Sequence, residues 1–274
     1  MASTITAEHR RDRVLELVRQ KGFCSLPELA DAIGVSESTI RRDLEALEEQ
    51  ASVRRTHGGV FYVGDTPKLP HFVDRQAAEW EKKKQIGICA AALVQDGDTV
   101  LLDGGSTTYE VAQRLVGRPV QVVTNSLPVA NLFVSSTSTD LVLIGGYVHS
   151  RSGVALGQYA NEMLARLNVR RTILSVAAVN DEGYYNSNLL LVETERAMMA
   201  AADEVIVVAD STKFGYRSLS RVAELKAADR LVVDEGITKP WREKLATAKV
   251  NVLIAGPTNE AVAASSDGKG DRRQ

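Results

Sequence analysis

Hydrophobic positions in the first sixty residues recur at helical spacing and then alternate. An apolar stripe predicts a first helix that ends near Gly22. The stretch SLPELADAIG predicts a second helix, because Ser25 and Glu28 form a capping box and a glycine closes it. A third helix starts after Ser36 in ESTIRRDLEALEEQ, and SVRRTHGGVFYV suits a short hairpin. Three helices and a hairpin predict a winged helix-turn-helix domain over residues 1–62.

The pattern then changes to short apolar runs separated by helical segments. Residues 63–73 contain two prolines and predict a linker. Residues 74–94 are expected to form one long helix, after which strand-like runs such as TVLLD, VQVVT, EVIVVAD and RLVVD alternate with helices. Such runs are typical of a mainly parallel sheet flanked by helices, so the predicted fold class is α/β for residues 74–256. Residues 257–274 are polar and without period, and we expect a disordered tail.

Composition narrows the range of functions. A net charge of −2 over 274 residues argues against a uniformly basic nucleic-acid coat, but it leaves room for a local basic surface. The four histidines show no metal-ligand spacing, so neither a metal nor a cofactor is predicted. Cys24 and Cys89 lie in apolar helical contexts and are interpreted as reduced thiols. No run is long enough to span a membrane, and we expect a cytoplasmic protein without membrane contact.

The third predicted helix has the division of faces that a DNA recognition helix needs. Its apolar residues share one face, whereas Ser38 and Arg42 point the opposite way. Hydroxyls and arginines near its amino end suit base edges in the major groove, and basic residues of the wing suit phosphates. The alternative is a small helical subdomain with solvated arginines. The candidate contacts to double-stranded operator DNA are Ser36, Ser38, Thr39, Arg41, Arg42, Arg54, Arg55 and His57.

Polar loops follow four predicted strands: DGGSTT, TNS, a Gly-Gly pair and DSTKFG. All four lie at the carboxyl ends of strands, where open α/β sheets bind ligands. Glycines, hydroxyls and a helix amino terminus suit a phosphate, and a lysine adds a full charge. No GK[ST] follows, so nucleotide hydrolysis is not expected. The predicted ligand is a phosphorylated sugar or polyol, and the candidate residues are Asp103, Gly104, Gly105, Ser106, Thr107, Thr108, Thr124, Asn125, Ser126, Gly145, Gly146 and Lys213.

The segment GVSESTIRRDLEALEEQASVRRTHGG resembles the amino-terminal signature of DeoR-type transcriptional regulators, a bacterial family. DGGSTT, TNSLPVA, LIGG and ADSTKFG resemble landmarks of that family's effector domain, so the resemblance covers about residues 8–255. It implies a repressor whose carboxyl-terminal domain is related to ribose-phosphate isomerases and CoA transferases and binds a phosphorylated sugar. Glu193 stands where DeoR-type proteins usually have an acid, and the resemblance adds it to the effector-binding candidates.

The resemblance also leaves an enzyme as an alternative. Glu195 and Lys213 have the spacing at which ribose-phosphate isomerases place their base and a lysine. However, Ala177 and Asn180 replace two aspartates of the related segments, which leaves Asp181–Glu182 as substitutes. We therefore expect a sensor without catalytic residues rather than an isomerase-like enzyme with a DNA-binding head. A scaffolding role ranks third, because it leaves the hydroxyl-lined strand ends unexplained.

A single winged module buries little surface on DNA, and pairing two half-sites is the usual route to useful affinity. The expected state is therefore a homo-oligomer, either a dimer or a tetramer. The sequence identifies neither the sugar nor the operator.

Overall fold

The computed structural model describes five stretches of the chain: residues 6–21, 23–49, 52–56, 59–62 and 71–256. Their contacts form two compact units, the first comprising the described residues up to 62 together with 188–190, and the second comprising the rest. Much of the predicted linker and the whole predicted tail, residues 63–70 and 257–274, lie outside the described residues. The domain boundaries given above therefore stay predictions.

The first unit contains α1 (Ala7–Lys21), β1 (Phe23–Ser25), α2 (Leu26–Ile33), α3 (Glu37–Glu49), β2 (Val53–Thr56) and β3 (Gly59–Tyr62). The three helices and the hairpin are those that the hydrophobic pattern predicts. The strands pair antiparallel in the order β1-β3-β2. The three-residue strand β1 was missed, because so short a segment shows no period of its own.

The ends of α2 follow directly from its sequence. The Oγ atom of Ser25 accepts a hydrogen bond from the amide of Glu28 at 3.4 Å, and the Glu28 carboxylate accepts one from the amide of Ser25 at 3.1 Å. Gly34 ends the helix with a φ of 76°, a left-handed conformation that glycine adopts without steric cost. The predicted capping box and glycine terminus are confirmed.

An ion pair joins α1 to the inner side of α3. The Nε atom of Arg10 lies 2.6 Å from Oδ2 of Asp43, and its Nη2 donates to Oδ1 at 3.0 Å. Asp43 is only 4% exposed, so its charge is compensated by a bidentate partner rather than by water. The pair fixes the packing of the helix that carries the candidate DNA contacts.

From residue 71 onward the described chain contains α4 (Phe72–Ala77), α5 (Trp80–Ala91), β4 (Thr99–Leu102), α6 (Ser106–Leu115), β5 (Gln121–Thr124), α7 (Leu127–Phe133), β6 (Asp140–Leu143), β7 (Tyr147–His149), β8 (Val154–Leu156), α8 (Gln158–Leu164), β9 (Val169–Ser175), β10 (Ala178–Asn180), β11 (Gly183–Asn186), α9 (Leu189–Ala200), β12 (Ala202–Val208), β13 (Ser220–Ala223), β14 (Arg230–Asp234), α10 (Lys239–Thr247) and β15 (Val252–Ala255).

Seven of these strands form one parallel sheet in the order β15-β14-β12-β9-β4-β5-β6. Both faces are covered: Leu101 of β4 belongs to one buried cluster, whereas Val100 and Leu102 belong to the other. The predicted α/β class with a mainly parallel sheet is confirmed. The first strand, β4, lies between β5 on one side and β9 on the other, so the strand order reverses there. Open α/β sheets bind ligands at such a switch point.

The helix predicted over residues 74–94 is broken, and that prediction is wrong. α4 ends at Ala77, and Glu79 adopts a left-handed conformation with a φ of 53° before α5 begins. The buried ammonium of Lys83 donates hydrogen bonds to the carbonyl oxygens of Arg75 and Ala78, and so satisfies the end of α4. The charged start and the alanine-rich end of this segment had indicated one continuous helix.

Two small antiparallel arrangements were also not predicted. The hairpin β7–β8 covers the end of β5, and β10, β11 and β13 form a three-stranded sheet after β9. Their strands have three or four residues, too few for alternation to be recognised in the sequence.

Candidate functional site

The amino end of α3 carries the hydroxyl groups that are predicted to meet DNA. The Oγ atom of Ser36 lies 2.9 Å from Oγ of Ser38 and 3.0 Å from Oγ1 of Thr39. It also accepts a hydrogen bond from the amide of Thr39 at 3.4 Å, so Ser36 caps the helix as predicted. Ser36 and Ser38 are exposed and Thr39 is half-buried. The three hydroxyls therefore lie together on accessible surface.

Arg41 and Arg42 project from the exposed side of the same helix. The Arg41 side chain is 63% exposed and lies 3.8 Å from the carboxylate of Glu37, a surface pair that contributes little stability. Arg42 is exposed and forms no ion pair within the described part of the chain. Ile40 and Leu44 on the other face are fully buried. The predicted division of faces is confirmed, whereas the DNA contacts stay predictions.

Arg55, on strand β2, is held by acids at the far end of α3. Its Nε lies 2.7 Å from Oε2 of Glu48, and its Nη1 lies 2.9 Å from Oε1 of Glu45. The hydrogen bond to Glu48, together with that to Glu45, raises the pKa of Arg55. The guanidinium thus fixes the wing to α3, and a DNA phosphate would compete with two carboxylates for it. The side chain of Arg54 and the whole of His57 lie outside the described residues.

Asp103 lies at the switch point, in the loop between β4 and α6, and is 3% exposed. Its Oδ2 accepts hydrogen bonds from the amide and from the hydroxyl of Ser175, at the end of β9, both at 3.0 Å. Its Oδ1 accepts one from the amide of Gly105 at 3.1 Å. Burial raises the pKa of Asp103, and these hydrogen bonds act in the opposite direction. The carboxylate therefore joins the two central strands and shapes the start of α6.

Gly104 and Gly105 are required by the packing of this loop. A Cβ atom at Gly104 would lie 1.8 Å from Cγ1 of Val154, and one at Gly105 would lie 1.5 Å from Oγ of Ser175. The sequence suggested instead that these glycines let backbone amides approach an anion. That role does not fit the amide of Gly105, which donates to Asp103.

The first turn of α6 lies at the same edge of the sheet. Ser106, Thr107 and Thr108 are 8%, 5% and 0% exposed, and no side chain caps the helix at Gly105. The unpaired amides of a helix amino terminus and its positive dipole favour an anion. The first turn of α6 therefore remains a candidate anion site, as the sequence predicted.

The polar residues after β5 are largely used within the fold. The Thr124 hydroxyl donates to the carbonyl oxygen of Leu102 at 2.8 Å, and Oγ of Ser126 caps α7. The Asn125 amide donates to the carbonyl oxygen of Ala155 at 2.9 Å. The Oδ1 atom of Asn125 is buried and has no hydrogen-bond partner among the residues described. Of these three predicted site residues, Asn125 alone offers an unfilled polar atom.

Gly145 and Gly146 lie apart from this cluster. They follow the edge strand β6 and line a cavity of about 430 Å³ with residues of α8 and its C-terminal flank, including Tyr159 and Arg166. A Cβ atom at Gly146, whose φ is 151°, would lie 2.8 Å from the carbonyl oxygen of Leu156. Gly146 therefore serves a close approach of two segments, whereas a Cβ atom at Gly145 would meet nothing within 4 Å. Both glycines follow the edge strand β6 rather than β4 at the switch point.

Asp210 and Lys213 follow β12, next to β9. Asp210 is fully buried, and its Oδ1 accepts a hydrogen bond from the amide of Thr212 at 3.0 Å. Its Oδ2 has no hydrogen-bond partner in the described structure. The Nζ atom of Lys213 lies 4.0 Å from that oxygen, and the lysine side chain is 37% exposed. The loop thus offers a reachable ammonium beside an unfilled carboxylate oxygen.

Of the two acids considered on α9, only Glu195 belongs to the buried cluster. It is 1% exposed, its Oε1 accepts a hydrogen bond from Asn186 at 2.6 Å, and its Oε2 has no partner in the described structure. Burial, followed by the negative charge of Asp103, raises the pKa of Glu195 well above its usual value. Glu193 is exposed on the same helix. Its role as an effector contact stays a prediction without geometric support.

The structure adds two cations that sequence reasoning missed. Arg75 on α4 lies close enough to Asp103 for that carboxylate to act on its pKa, and Lys83 on α5 is under the influence of Asp210 and Lys213. Burial lowers the pKa of both side chains. Neither residue was a candidate, since both lie in the charged part of a segment that was predicted as one continuous helix.

Two known protein families match separate parts of the chain. The DeoR-like helix-turn-helix domain matches residues 10–66, and the DeoR C terminal sensor domain matches residues 78–235. The chain belongs to the DeoR family. It is therefore a transcriptional regulator with a DNA-binding helix-turn-helix domain and a sensor domain.

Relatives in this family cover most of the chain. A proposed transcriptional repressor of the aga operon from Escherichia coli O157:H7 is 32% identical, over 90% of this chain and 93% of the relative. The glycerol-3-phosphate regulon repressor of Escherichia coli strain K12 is 30% identical, over 82% and 90%. A ribose 5-phosphate isomerase from Methanocaldococcus jannaschii is 17% identical over 50% of this chain and 55% of that chain, with a TM-score of 0.37. At that TM-score the likeness carries no argument about fold or function.

The turn between β10 and β11 of this DeoR-family protein begins at Asn180, one of the two positions at which the resemblance implied an aspartate. Asn180 accepts a hydrogen bond from the amide of Glu182 through Oδ1 at 2.9 Å, and so shapes the turn. Asp181 pairs with Lys244 at 2.8 Å, and Glu182 pairs with Arg217. Both acids are exposed and engaged in surface ion pairs, so their role as substitutes for those aspartates stays a prediction without geometric support.

In the described parts of this DeoR-family protein, none of the helices has both the length and the apolar character that crossing a membrane requires. No group of three or more His, Cys, Asp and Glu side chains is arranged there to hold a metal ion.

Proposed function

We propose that this DeoR-family protein represses a carbohydrate-catabolism operon and is released from its operator by a phosphorylated sugar or polyol. The observation that carries the proposal is a set of unfilled buried polar atoms at and beside the carboxyl ends of the strands. Oδ1 of Asn125, Oε2 of Glu195 and Oδ2 of Asp210 are buried oxygen atoms without hydrogen-bond partners in the described structure. Buried polar atoms are normally hydrogen-bonded, so a ligand with hydroxyl groups is the natural partner for such a set.

The positively charged groups at this edge of the sheet support the presence of a phosphate group on the same ligand. The amino terminus of α6 offers amides and a positive dipole, and Lys213 offers an ammonium that is 37% exposed. Acceptors for hydroxyls and donors for an anion thus occur at one end of the sheet. A simple anion would leave the acceptors unfilled, and an uncharged sugar would leave the cations unfilled.

Fluorescence anisotropy tests the proposal, with labelled DNA from the region upstream of this protein's own gene. Bound DNA is titrated with glycerol 3-phosphate, ribose 5-phosphate and other pentose and hexose phosphates, each beside its unphosphorylated counterpart. We expect at least one phosphorylated compound, and no unphosphorylated one, to release the DNA. DNA binding that no phosphorylated compound weakens would contradict the proposed release.

The variant Lys213→Ala tests whether release from DNA by the sugar phosphate depends on the proposed effector site. Removing this ammonium should leave DNA affinity unchanged and abolish release at the sugar-phosphate concentrations that release the wild type, because the anion loses the ammonium that the loop after β12 offers it. Lys226→Ala is the matched control, since Lys226 is 78% exposed and pairs with Glu224 at 3.2 Å. Release from Lys213→Ala at wild-type concentrations would remove this residue from the effector site.

An isomerase-like enzyme is the second candidate, and Glu195 is the observation that favours it. A buried carboxyl group with a raised pKa beside a second carboxylate is a common arrangement for a general base. The absence of the two family aspartates and the exposed ion pairs of Asp181 and Glu182 weigh against turnover. Incubation of pure protein with ribose 5-phosphate decides: the repressor proposal expects no ribulose 5-phosphate.

The proposal includes a homo-oligomer, either a dimer or a tetramer. One winged module offers little surface to DNA, and two half-sites need two copies. Light scattering at micromolar protein, with and without DNA, measures the mass. A monomeric mass in both conditions would contradict this part.

A further inference from the structure

The short helix α4 is the first described element after residues 63–70, and a small number of contacts hold it. The amide of Phe72 donates to the carbonyl oxygen of Arg151 at 2.9 Å. The Phe72 ring meets the ring of Tyr109 on α6 edge-on, with centroids 5.4 Å apart. At its other end α4 is held by Lys83, which donates to two of its terminal carbonyl oxygens.

Arg75 lies in the middle of this helix and is half-buried, and two nitrogens of its guanidinium are buried without hydrogen-bond partners in the described structure. Nε and Nη2 both have almost no contact with solvent and no acceptor within the described structure. A guanidinium stays charged in proteins and offers five donors in a fixed planar fork. A buried group of this kind without acceptors is costly, so its position indicates a ligand that supplies them.

The surroundings of Arg75 belong to the switch point. Burial lowers the pKa of Arg75, and the negative charge of Asp103 acts in the opposite direction. The side chain also lies over the Phe72 ring, 5.6 Å from its centroid, and that ring packs on the first turns of α6 through Tyr109. Arg75 thus faces the same edge of the sheet as the amino terminus of α6.

We propose that Arg75 pairs with the anionic group of the effector, and that α4 is the segment through which occupancy of the site reaches the linker. The inference rests on the proposed function. It adds Arg75 to the effector site, and it adds α4 as the connection between that site and the linker. The planar fork of arginine matches two oxygens of a phosphate or a carboxylate. An anion shared by Arg75 and α6 fastens α4 to the sheet, and α4 begins ten residues after Tyr62, the last residue of the wing strand β3.

This arrangement meets the physical demand on any switch. A ligand shifts an equilibrium only by binding one state better than the other. A site composed of fixed loops alone would bind equally well whatever the DNA-binding domain does. A site that includes Arg75 binds tightly only when α4 is docked, and α4 is connected through residues 63–70 to that domain.

Hydrogen exchange with mass spectrometry on the full chain tests the inference at α4 itself. The probes are inorganic phosphate, glycerol 3-phosphate and ribose 5-phosphate, with glycerol and ribose as uncharged counterparts. In the wild type, at least one anion should slow exchange of the amides of residues 72–78, and the uncharged compounds should not. Arg75→Gln should weaken this protection about ten- to a hundredfold in anion concentration, the loss expected for a hydrogen bond to a charged group.

Two variants separate a local charge effect from general damage. Lys84→Gln removes a cation from the neighbouring helix α5, where the ammonium lies 5.6 Å from the ring centroid of Trp80, and should behave as wild type. Arg75→Lys keeps the charge without the fork and should recover part of the protection. Without anions, Arg75→Gln should unfold at a urea concentration close to that of wild type, because it removes a charged group of which two buried nitrogens have no acceptor in the described structure.

The outcomes also distinguish this inference from the proposed function. Exchange in α4 that no anion changes, or that changes equally in Arg75→Gln, overturns the role of Arg75. If sugar phosphates still release DNA in that case, the proposed function stands. Protection of α4 that depends on Arg75, without release of DNA by any of the anions, supports the inference and contradicts the proposed release.

Discussion

Asp103 and Ser175 connect the ends of the two central strands of the sheet. The Asp103 carboxylate accepts hydrogen bonds from both the amide and the hydroxyl of Ser175 at 3.0 Å, across the point where the strand order reverses. Its other oxygen binds the amide of Gly105 before α6. One buried carboxylate therefore sets the relative position of β4, β9 and the helix amino terminus that forms the candidate anion site.

Asp103→Asn is expected to lower the free energy of unfolding of the second unit by about 1–3 kcal/mol. An amide has one acceptor oxygen, so its NH₂ group must face either the donors of Ser175 or that of Gly105. Ser175→Ala removes only the hydroxyl and should cost about 0.5–1.5 kcal/mol. Urea unfolding followed by tryptophan fluorescence measures both, since Trp80 and Trp241 lie in this unit. An Asp103→Asn variant as stable as wild type would show that the carboxylate is not needed.

The sequence predicted which strand ends share one edge of the sheet, but it did not predict how many of the polar residues there are used within the fold. Runs such as TVLLD give strands whose carboxyl ends must share one edge, so the loops at 103–108 and 210–213 could be assigned to one site. Glu195 and Glu193 could not be ranked, because α9 (LLLVETERAMMA) is apolar over much of its circumference and periodicity does not reveal its inner face. Arg75 was missed because the sequence did not reveal the helix break at Glu79, where Lys83 donates a hydrogen bond to the carbonyl oxygen of Arg75.

Glu195→Gln is expected to change how stability depends on pH. Burial and the charge of Asp103 raise the pKa of Glu195 in the folded protein. The unfolded chain therefore releases this proton at a lower pH than the folded one, near its usual pKa of about 4.5. Above that pH, and until the folded pKa is reached, this group makes the free energy of unfolding fall as pH rises. One proton limits the slope to about 1.4 kcal/mol per pH unit.

Glutamine keeps a carbonyl oxygen for the Asn186 donor but has no proton to lose. The stability of Glu195→Gln relative to wild type should therefore increase from pH 5 upward and level off above the folded pKa. Urea unfolding at several pH values, monitored by tryptophan fluorescence, measures the difference. Glu243→Gln, at a side chain of α10 that is 68% exposed, is the control and should change much less. Parallel stability curves for Glu195→Gln and wild type would mean that Glu195 ionises normally.

Arg42→Ala is expected to weaken DNA binding with loss of sequence discrimination. Arg42 is exposed on α3 beside the Ser36–Ser38–Thr39 hydroxyls, and no described carboxylate pairs with it. An arginine that reads a guanine edge contributes about 1–3 kcal/mol to specific binding, whereas a phosphate contact weakens all sequences alike. The ratio of affinities for the operator and for unrelated DNA, at one salt concentration, distinguishes the two.

Substitutions of two other arginines serve as comparisons for Arg42→Ala. Arg55 is held by Glu45 and Glu48, so Arg55→Ala should lower binding through the wing without changing the ratio of affinities. Arg170, paired with Asp203 at 3.4 Å in the second unit, is the control for loss of one positive charge, and Arg170→Ala should bind as wild type. If Arg42→Ala bound the operator as tightly as Arg170→Ala, the exposed face of α3 would not be the surface that reads DNA.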